Sequence, residues 1–188
     1  MRTFSVKPSL TLKGRKFKGL RGYAGKPFHP PLTDIPVAAY LLAAVFDVIS
    51  ALGDDSKAWT HELWHAATFV FLGGAAVSVL AALTGIVDWL TSTQKGTQAR
   101  RTANTHAAIM ITVTALTVAD IVWRLAQYDD RTTPVGIAVL SVVIALLVAV
   151  GATYGGTLVF DYGFNVETAG DSPVWHKSET DVFPGAHE

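Results

Sequence analysis

The sequence has no cysteine. That absence excludes disulfides, zinc–thiolate sites, iron–sulfur clusters and thiol catalysis. Charge is also scarce. Of 188 residues, 16% are charged and 50% hydrophobic, against about 25% charged in an ordinary soluble domain. So low a charge content argues against a solvated globule and against a disordered chain. No sign of charge is in excess, since Lys+Arg and Asp+Glu are 15 each, and no nucleic-acid partner is expected. What remains is an apolar chain of one-domain length with a mean hydropathy of +0.35. The composition points to the lipid bilayer and names no reaction.

The few charges are unevenly placed. Residues 1–26 hold eight of the basic residues, and no acidic residue precedes Asp34. From Asp161 onward, six acidic residues face one basic residue, Lys177. The basic start is not read as a signal peptide, because no apolar stretch with a small-residue cleavage site follows at the right distance. It is expected to be poorly ordered over residues 1–20, or to lie on the anionic inner leaflet. Between these ends lie four apolar stretches, at about 34–53, 62–90, 105–126 and 134–160. Each approaches or exceeds the roughly 20 residues that cross a hydrocarbon core. The expected organisation is a basic segment over 1–28, a four-span membrane domain over 29–162 and an acidic tail over 163–188.

Short polar connections imply an all-α, up-down-up-down four-helix bundle. The N-terminal segment and the second connection, with Lys95, Arg100 and Arg101, share one side. Lys57 and Arg131 share the other. The excess of basic residues puts both termini in the cytoplasm of a cell-membrane protein. Small residues at Gly74-x-x-x-Ser78, Ala81-x-x-x-Gly85 and Gly151-x-x-x-Gly155 suit helix packing. A homo-oligomer is a further expectation.

Ionisable groups inside spans are costly and face a bundle interior. Asp47 lies about 18 Å along the first span and Asp120 about 20 Å along the third, both in the outer half. At about 100° per residue, His106, Val113, Thr117, Asp120 and Arg124 fall on one stripe. Asp120 and Arg124 are spaced for an i, i+4 pair, and Asp47 for a hydrogen bond to a neighbouring helix. A proton or ligand path through Asp47, Asp120 and Arg124 is the functional alternative.

His61-Glu62-Leu63-Trp64-His65 matches the H-E-x-x-H pattern, in which His61 and His65 would chelate zinc and Glu62 would act as base. The third ligand would be Asp120 or Asp47. The other reading is a set of interfacial His and Trp side chains at the membrane boundary; His65 lies about 140° from the Gly74–Asp88 face. A second group gathers at the cytoplasmic side: His29 before Pro30-Pro31, Asp88 at the end of the second span, and His106 opening the third. Three roles fit these residues. The histidines could be axial ligands of a b-type haem; a histidine with Asp88 could relay protons; or all three could cap helix ends. Whichever holds, they are expected to converge, with an imidazole paired to Asp88. His176 and His187 lie in the polar tail and are read as solvated.

Several of these residues carry a resemblance. Gly25-Lys26-Pro27-Phe28-His29-Pro30-Pro31-Leu32-Thr33-Asp34-Ile35-Pro36 is followed by Asp47, Gly85-Ile86-Val87-Asp88-Trp89, Arg100, Arg101 and His106. The series ends with Gly155-Gly156-Thr157-Leu158-Val159-Phe160-Asp161-Tyr162-Gly163. This ordered set, over about residues 20–167, resembles the bacterial membrane family catalogued as domain of unknown function 2231. The resemblance implies four spans and assigns no activity. Some relatives carry a Rieske iron–sulfur domain, which this chain, without cysteine, does not reproduce; the association brings a redox partner to mind. Relatives often have His where this chain has Tyr162, and H-E-x-x-H is not a family feature. The expected function is therefore an accessory or electron/proton-transfer subunit of a membrane redox system. The alternatives are a purely structural membrane protein and a zinc hydrolase.

Overall fold

The computed structural model describes residues 19–20 and 27–164. His176, His187 and most of the basic and acidic end segments lie outside the described residues. Four helices follow one another: α1 (His29–Leu52), α2 (Ala58–Ser92), α3 (Gln98–Ala126) and α4 (Val135–Phe160). All four are long and apolar enough to cross a membrane.

The first three helices outrun their apolar stretches because polar residues continue them at their ends. α1 begins at His29 with Pro30 and Pro31 in its first turn, where the N–H groups that proline lacks have no intrahelical acceptor. α3 begins at Gln98, a full turn and more before the apolar run, because the Thr97 side chain accepts a 3.2 Å hydrogen bond from Arg100 N and caps it. Gly96, at φ 84°, makes the turn that precedes it. α2 has 35 residues and is about 52 Å long, so it projects beyond a hydrocarbon core of about 30 Å.

α1 packs closely on α2 and on α4, and α3 packs on α4, while α2 and α3 touch only lightly. Ser50 near the end of α1 donates to Thr60 O at the start of α2 (2.7 Å). At the other end of this hairpin, His29 meets Ala81 O (2.8 Å). The α1–α2 crossing is tight at Gly74, where an added Cβ would stand 2.6 Å from the Ala39 Cβ.

Polarity is inverted relative to a soluble bundle. Leu41, Leu42, Val79, Leu83, Ile111, Val122 and Leu146 are exposed, whereas Asp47, Ser50, Thr60, Thr117, Asp120, Arg124 and Ser141 are buried. Apolar groups outside and hydrogen-bonded polar groups inside suit a bilayer, where burial against lipid costs an apolar side chain nothing. Between the polar groups, Tyr40, Ala43, Ala67, Phe71, Val113, Ile144 and Val148 form the packed core.

The burial pattern also contains an internal repeat. Six of the eight buried residues of α4 fall on buried positions of α2 shifted by 70: Ala67 with Ile137, Thr68 with Ala138, Phe71 with Ser141, Gly74 with Ile144, Ala81 with Gly151, and Asp88 with Leu158. In the same way, Pro36, Tyr40, Ala43 and Asp47 of α1 match Val113, Thr117, Asp120 and Arg124 of α3 at an offset of 77. The bundle is thus two equivalent helix hairpins, α1–α2 and α3–α4, set face to face.

Candidate functional site

The repeat places like-numbered residues opposite one another. His29 opens α1, whereas His106, expected to open the third helix, lies inside α3, which already begins at Gln98; Tyr40 and Thr117 follow eleven residues later, and Asp47 and Arg124 eighteen residues later. Eighteen residues of helix span about 27 Å, so an imidazole layer and an ionic layer lie near opposite edges of the apolar slab.

In the ionic layer, the Arg124 guanidinium joins both carboxylates. Its Nε donates to Asp120 Oδ1. Its Nη2 donates to Asp47 Oδ2 and its Nη1 to Asp47 Oδ1 (3.1 Å). The i, i+4 pair and the inter-helix bond expected from spacing are therefore one network. No side chain of the three is exposed to any measurable degree. Asp47 is further held by Thr133 Oγ1 (3.2 Å) and Ser141 Oγ (2.7 Å). Ser50 accepts from Thr133 N (3.0 Å), which fixes the α3–α4 connection against α1. The rings of Trp64 and Phe71 lie 5.3 and 4.6 Å from the guanidinium carbon and cover its remaining faces. Two atoms in this region stand without a hydrogen-bond partner, Asp120 Oδ2 and Thr117 Oγ1.

In the imidazole layer the two hairpins repeat one motif. His29 Nδ1 lies 2.8 Å from Ala81 O and 3.4 Å from Thr84 Oγ1. His106 Nδ1 lies 2.8 Å from Gly151 O. A carbonyl only accepts, so each Nδ1 carries the proton, and in the neutral ring Nε2 keeps its lone pair. Gly85 and Gly155, one turn beyond those carbonyls, leave each ring its space. A Cβ at Gly85 would stand 2.7 Å from His29 Cε1, and one at Gly155 3.4 Å from His106 Cε1. The two imidazoles are within electrostatic reach of each other. Asp88 departs from expectation. It is buried and accepts from Leu20 N (3.3 Å), and among the described residues no imidazole pairs with it. The cause is the geometry of the histidines, which spend Nδ1 on main-chain carbonyls. Tyr162 is exposed just beyond α4 and takes no part in this layer.

The H-E-x-x-H histidines meet main-chain oxygens of the α3–α4 connection. His61 Nδ1 meets Asp130 O (3.1 Å) and His65 Nε2 meets Tyr128 O (3.2 Å). His65 also stacks on the Tyr128 ring at 4.4 Å, and Glu62 is exposed. Asp47 and Asp120, the expected third ligands, are held by Arg124. Among the described residues no three His, Asp or Glu side chains are grouped to hold a metal ion. The segment instead clamps the α3–α4 connection to α2.

Spacing alone singled out His29, His106, Asp47, Asp120 and Arg124, but not what supports them. Ser50, Thr133 and Ser141 looked like ordinary polar residues near helix ends. The repeat singles out only Ser141, the equivalent of Phe71: Ser141 donates to Asp47, and Phe71 covers the guanidinium that Asp47 binds.

No curated protein and no solved structure matches the chain. A family model does match, over residues 25–168, which takes in all four helices and both layers. The chain is therefore a multi-pass membrane protein that belongs to the family described as predicted membrane protein (DUF2231).

Proposed function

We propose that the chain is an electron-transfer subunit of a membrane redox system, in which His29 and His106 hold a b-type haem between the two hairpins. One observation carries this reading. Two histidines at equivalent positions each spend Nδ1–H on a main-chain carbonyl, which orients the ring and leaves Nε2 as the ligating atom. Ligating histidines are normally anchored in this way, and the anchor raises their basicity. Two such imidazoles would hold a haem that carries one electron at a time. Gly85 and Gly155 supply the second support, because a Cβ at either position would crowd the ring that faces it. The haem would supply the redox couple; the chain's own groups orient the ligands and, through the apolar faces of the helices, exclude water.

In this reading the bundle runs up-down-up-down with both termini cytoplasmic. Lys95, Arg100 and Arg101 stand at the imidazole end, so the positive-inside rule places the haem near the cytoplasmic surface and the ionic layer near the outer one. A membrane or soluble redox protein would exchange electrons there.

The test is a reduced-minus-oxidised absorption spectrum of the full chain, purified in detergent from haem-replete membranes. A bis-histidine b-type spectrum is expected, and His29→Ala and His106→Ala should each abolish it while helix content is kept. A chain that is free of haem and takes none up when haem is added refutes the proposal. The histidines would then serve only to tie each hairpin together, and the protein would be an accessory structural subunit.

A further inference from the structure

The ionic layer holds two carboxylates and one guanidinium, all fully buried. If both acids are ionised, the layer carries a net negative charge in the interior of the bundle. Uncompensated buried charge is among the most costly features a fold can contain, so the layer needs one more positive charge. Its hydrogen bonds show where that charge belongs.

Asp47 is the satisfied ion. Four donors reach it: Arg124 Nη1, Arg124 Nη2, Thr133 Oγ1 and Ser141 Oγ. Asp120 receives one donor, Arg124 Nε, on Oδ1, while Oδ2 is buried with no partner. Thr117, one turn earlier on the same face of α3, has the only other orphaned buried side-chain oxygen among the described residues. The Tyr40 phenol lies toward Thr117 and Ser78. Among the described residues, no other ionisable group faces this point. α1 contributes Asp47 and Tyr40, and α3 contributes Arg124. α2 presents Trp64 and Phe71, with His65 turned to Tyr128; α4 presents Ser141.

We propose that Asp120 is a proton-binding site inside the membrane, its unpartnered Oδ2 carrying the proton. The carboxylate takes up one proton and becomes a neutral carboxyl. The layer then becomes electrically neutral. A metal cation is a poorer occupant, because hard cations demand several oxygens and only two are free here. The bound proton sits on the line between the hairpins, about 21 Å along the helix axis from the imidazole layer. This inference does not depend on a haem.

The experiment is infrared spectroscopy of the full chain in liposomes, in H2O and D2O, near neutral pH. A neutral-carboxyl C=O band is expected, with a deuterium shift. Asp120→Asn should remove it and Asp88→Asn should leave it. Isotopic labelling of the aspartate carboxyl carbon should move the band to lower frequency. Absence of the band from the wild type, its persistence in Asp120→Asn, or a band unmoved by the label would each overturn the proposal. Should Asp120→Asn not fold, the wild-type band, its shift on labelling and its survival in Asp88→Asn decide it.

Discussion

Arg124→Leu is the most demanding test of the ionic layer. The side chain is fully buried and, among the described residues, supplies the only donor to Asp120 and two of the four donors to Asp47. Its removal leaves the Asp47 carboxylate buried without a counter-charge and takes from Asp120 its donor. Breaking a buried pair in this way costs about 3–5 kcal/mol. Asp47→Asn should fall in the same range of about 3–5 kcal/mol, since it strands the guanidinium. Asp120→Asn should cost no more than about 1 kcal/mol: the amide oxygen still accepts from Nε, and the amide N–H replaces the carboxyl O–H, so only one hydrogen bond changes character. Replacing all three by Leu removes charge and partner together, and should leave the bundle as stable or more stable by about 1–4 kcal/mol. These residues form one network, so the single changes will not add. Reversible unfolding of the detergent-solubilised chain, followed by far-ultraviolet circular dichroism, measures the differences. An Arg124→Leu protein as stable as wild type, or an Asp120→Asn protein as weak as Asp47→Asn, would refute the reasoning.

The helix crossings and the outer connection give further expectations. Gly74→Ala should cost about 1–3 kcal/mol by overpacking against Ala39, while Gly73→Ala, which meets nothing within 4 Å, should be neutral or stabilise by up to about 1 kcal/mol; thermal melts of the two variants compare them. Gly85→Val should displace the His29 ring and abolish any haem signal without loss of helix, read by absorption and circular dichroism together. Asp54, in the α1–α2 connection, sits below the usual carboxylate range because Ser56 donates to it from its side chain and its backbone N–H. Its contribution to the turn is therefore complete above the ordinary carboxylate pKa and is lost as pH falls through the depressed value. NMR titration of Asp54 should show this, with Ser56→Ala returning it toward normal.

The spans were legible because lipid exposure writes itself into composition: Leu, Val, Ile and Ala dominate faces that touch nothing polar. The ionic layer was legible in part. An i, i+4 spacing and a shared stripe suffice to join Asp120 with Arg124, but nothing local shows that Asp47 reaches the same guanidinium, because that contact crosses 77 positions. The repeat would have shown it. His29 to His106 and Asp47 to Arg124 share one offset, yet neither apolar nor polar composition repeats strongly enough to be seen at a glance. The Asp88–imidazole pair failed for a different reason. Helix periodicity says which residues share a face, not whether a ring turns its nitrogen to a side chain or to a carbonyl one turn away.

The two ends of the bundle treat the same symmetry in opposite ways. Equivalent residues of the two hairpins face each other, so a residue type at one position confronts its counterpart across the line that relates the hairpins. In the imidazole layer the counterparts are identical, His29 and His106, each with a carbonyl acceptor and a glycine at matching places. Identity is tolerated there, because each ring has its own carbonyl acceptor within its own hairpin. In the ionic layer, identity would be ruinous: two like charges facing one another in the interior would repel with no solvent to screen them. The counterparts there are Asp47 and Arg124, opposite in charge and bidentate in contact. The third member, Asp120, has its counterpart at Ala43, a side chain too small to accept anything. Asp120 is thus an acid added on one hairpin only, with no balancing partner on the other. Such an addition makes physical sense where the extra negative charge is meant to be cancelled by something that comes and goes.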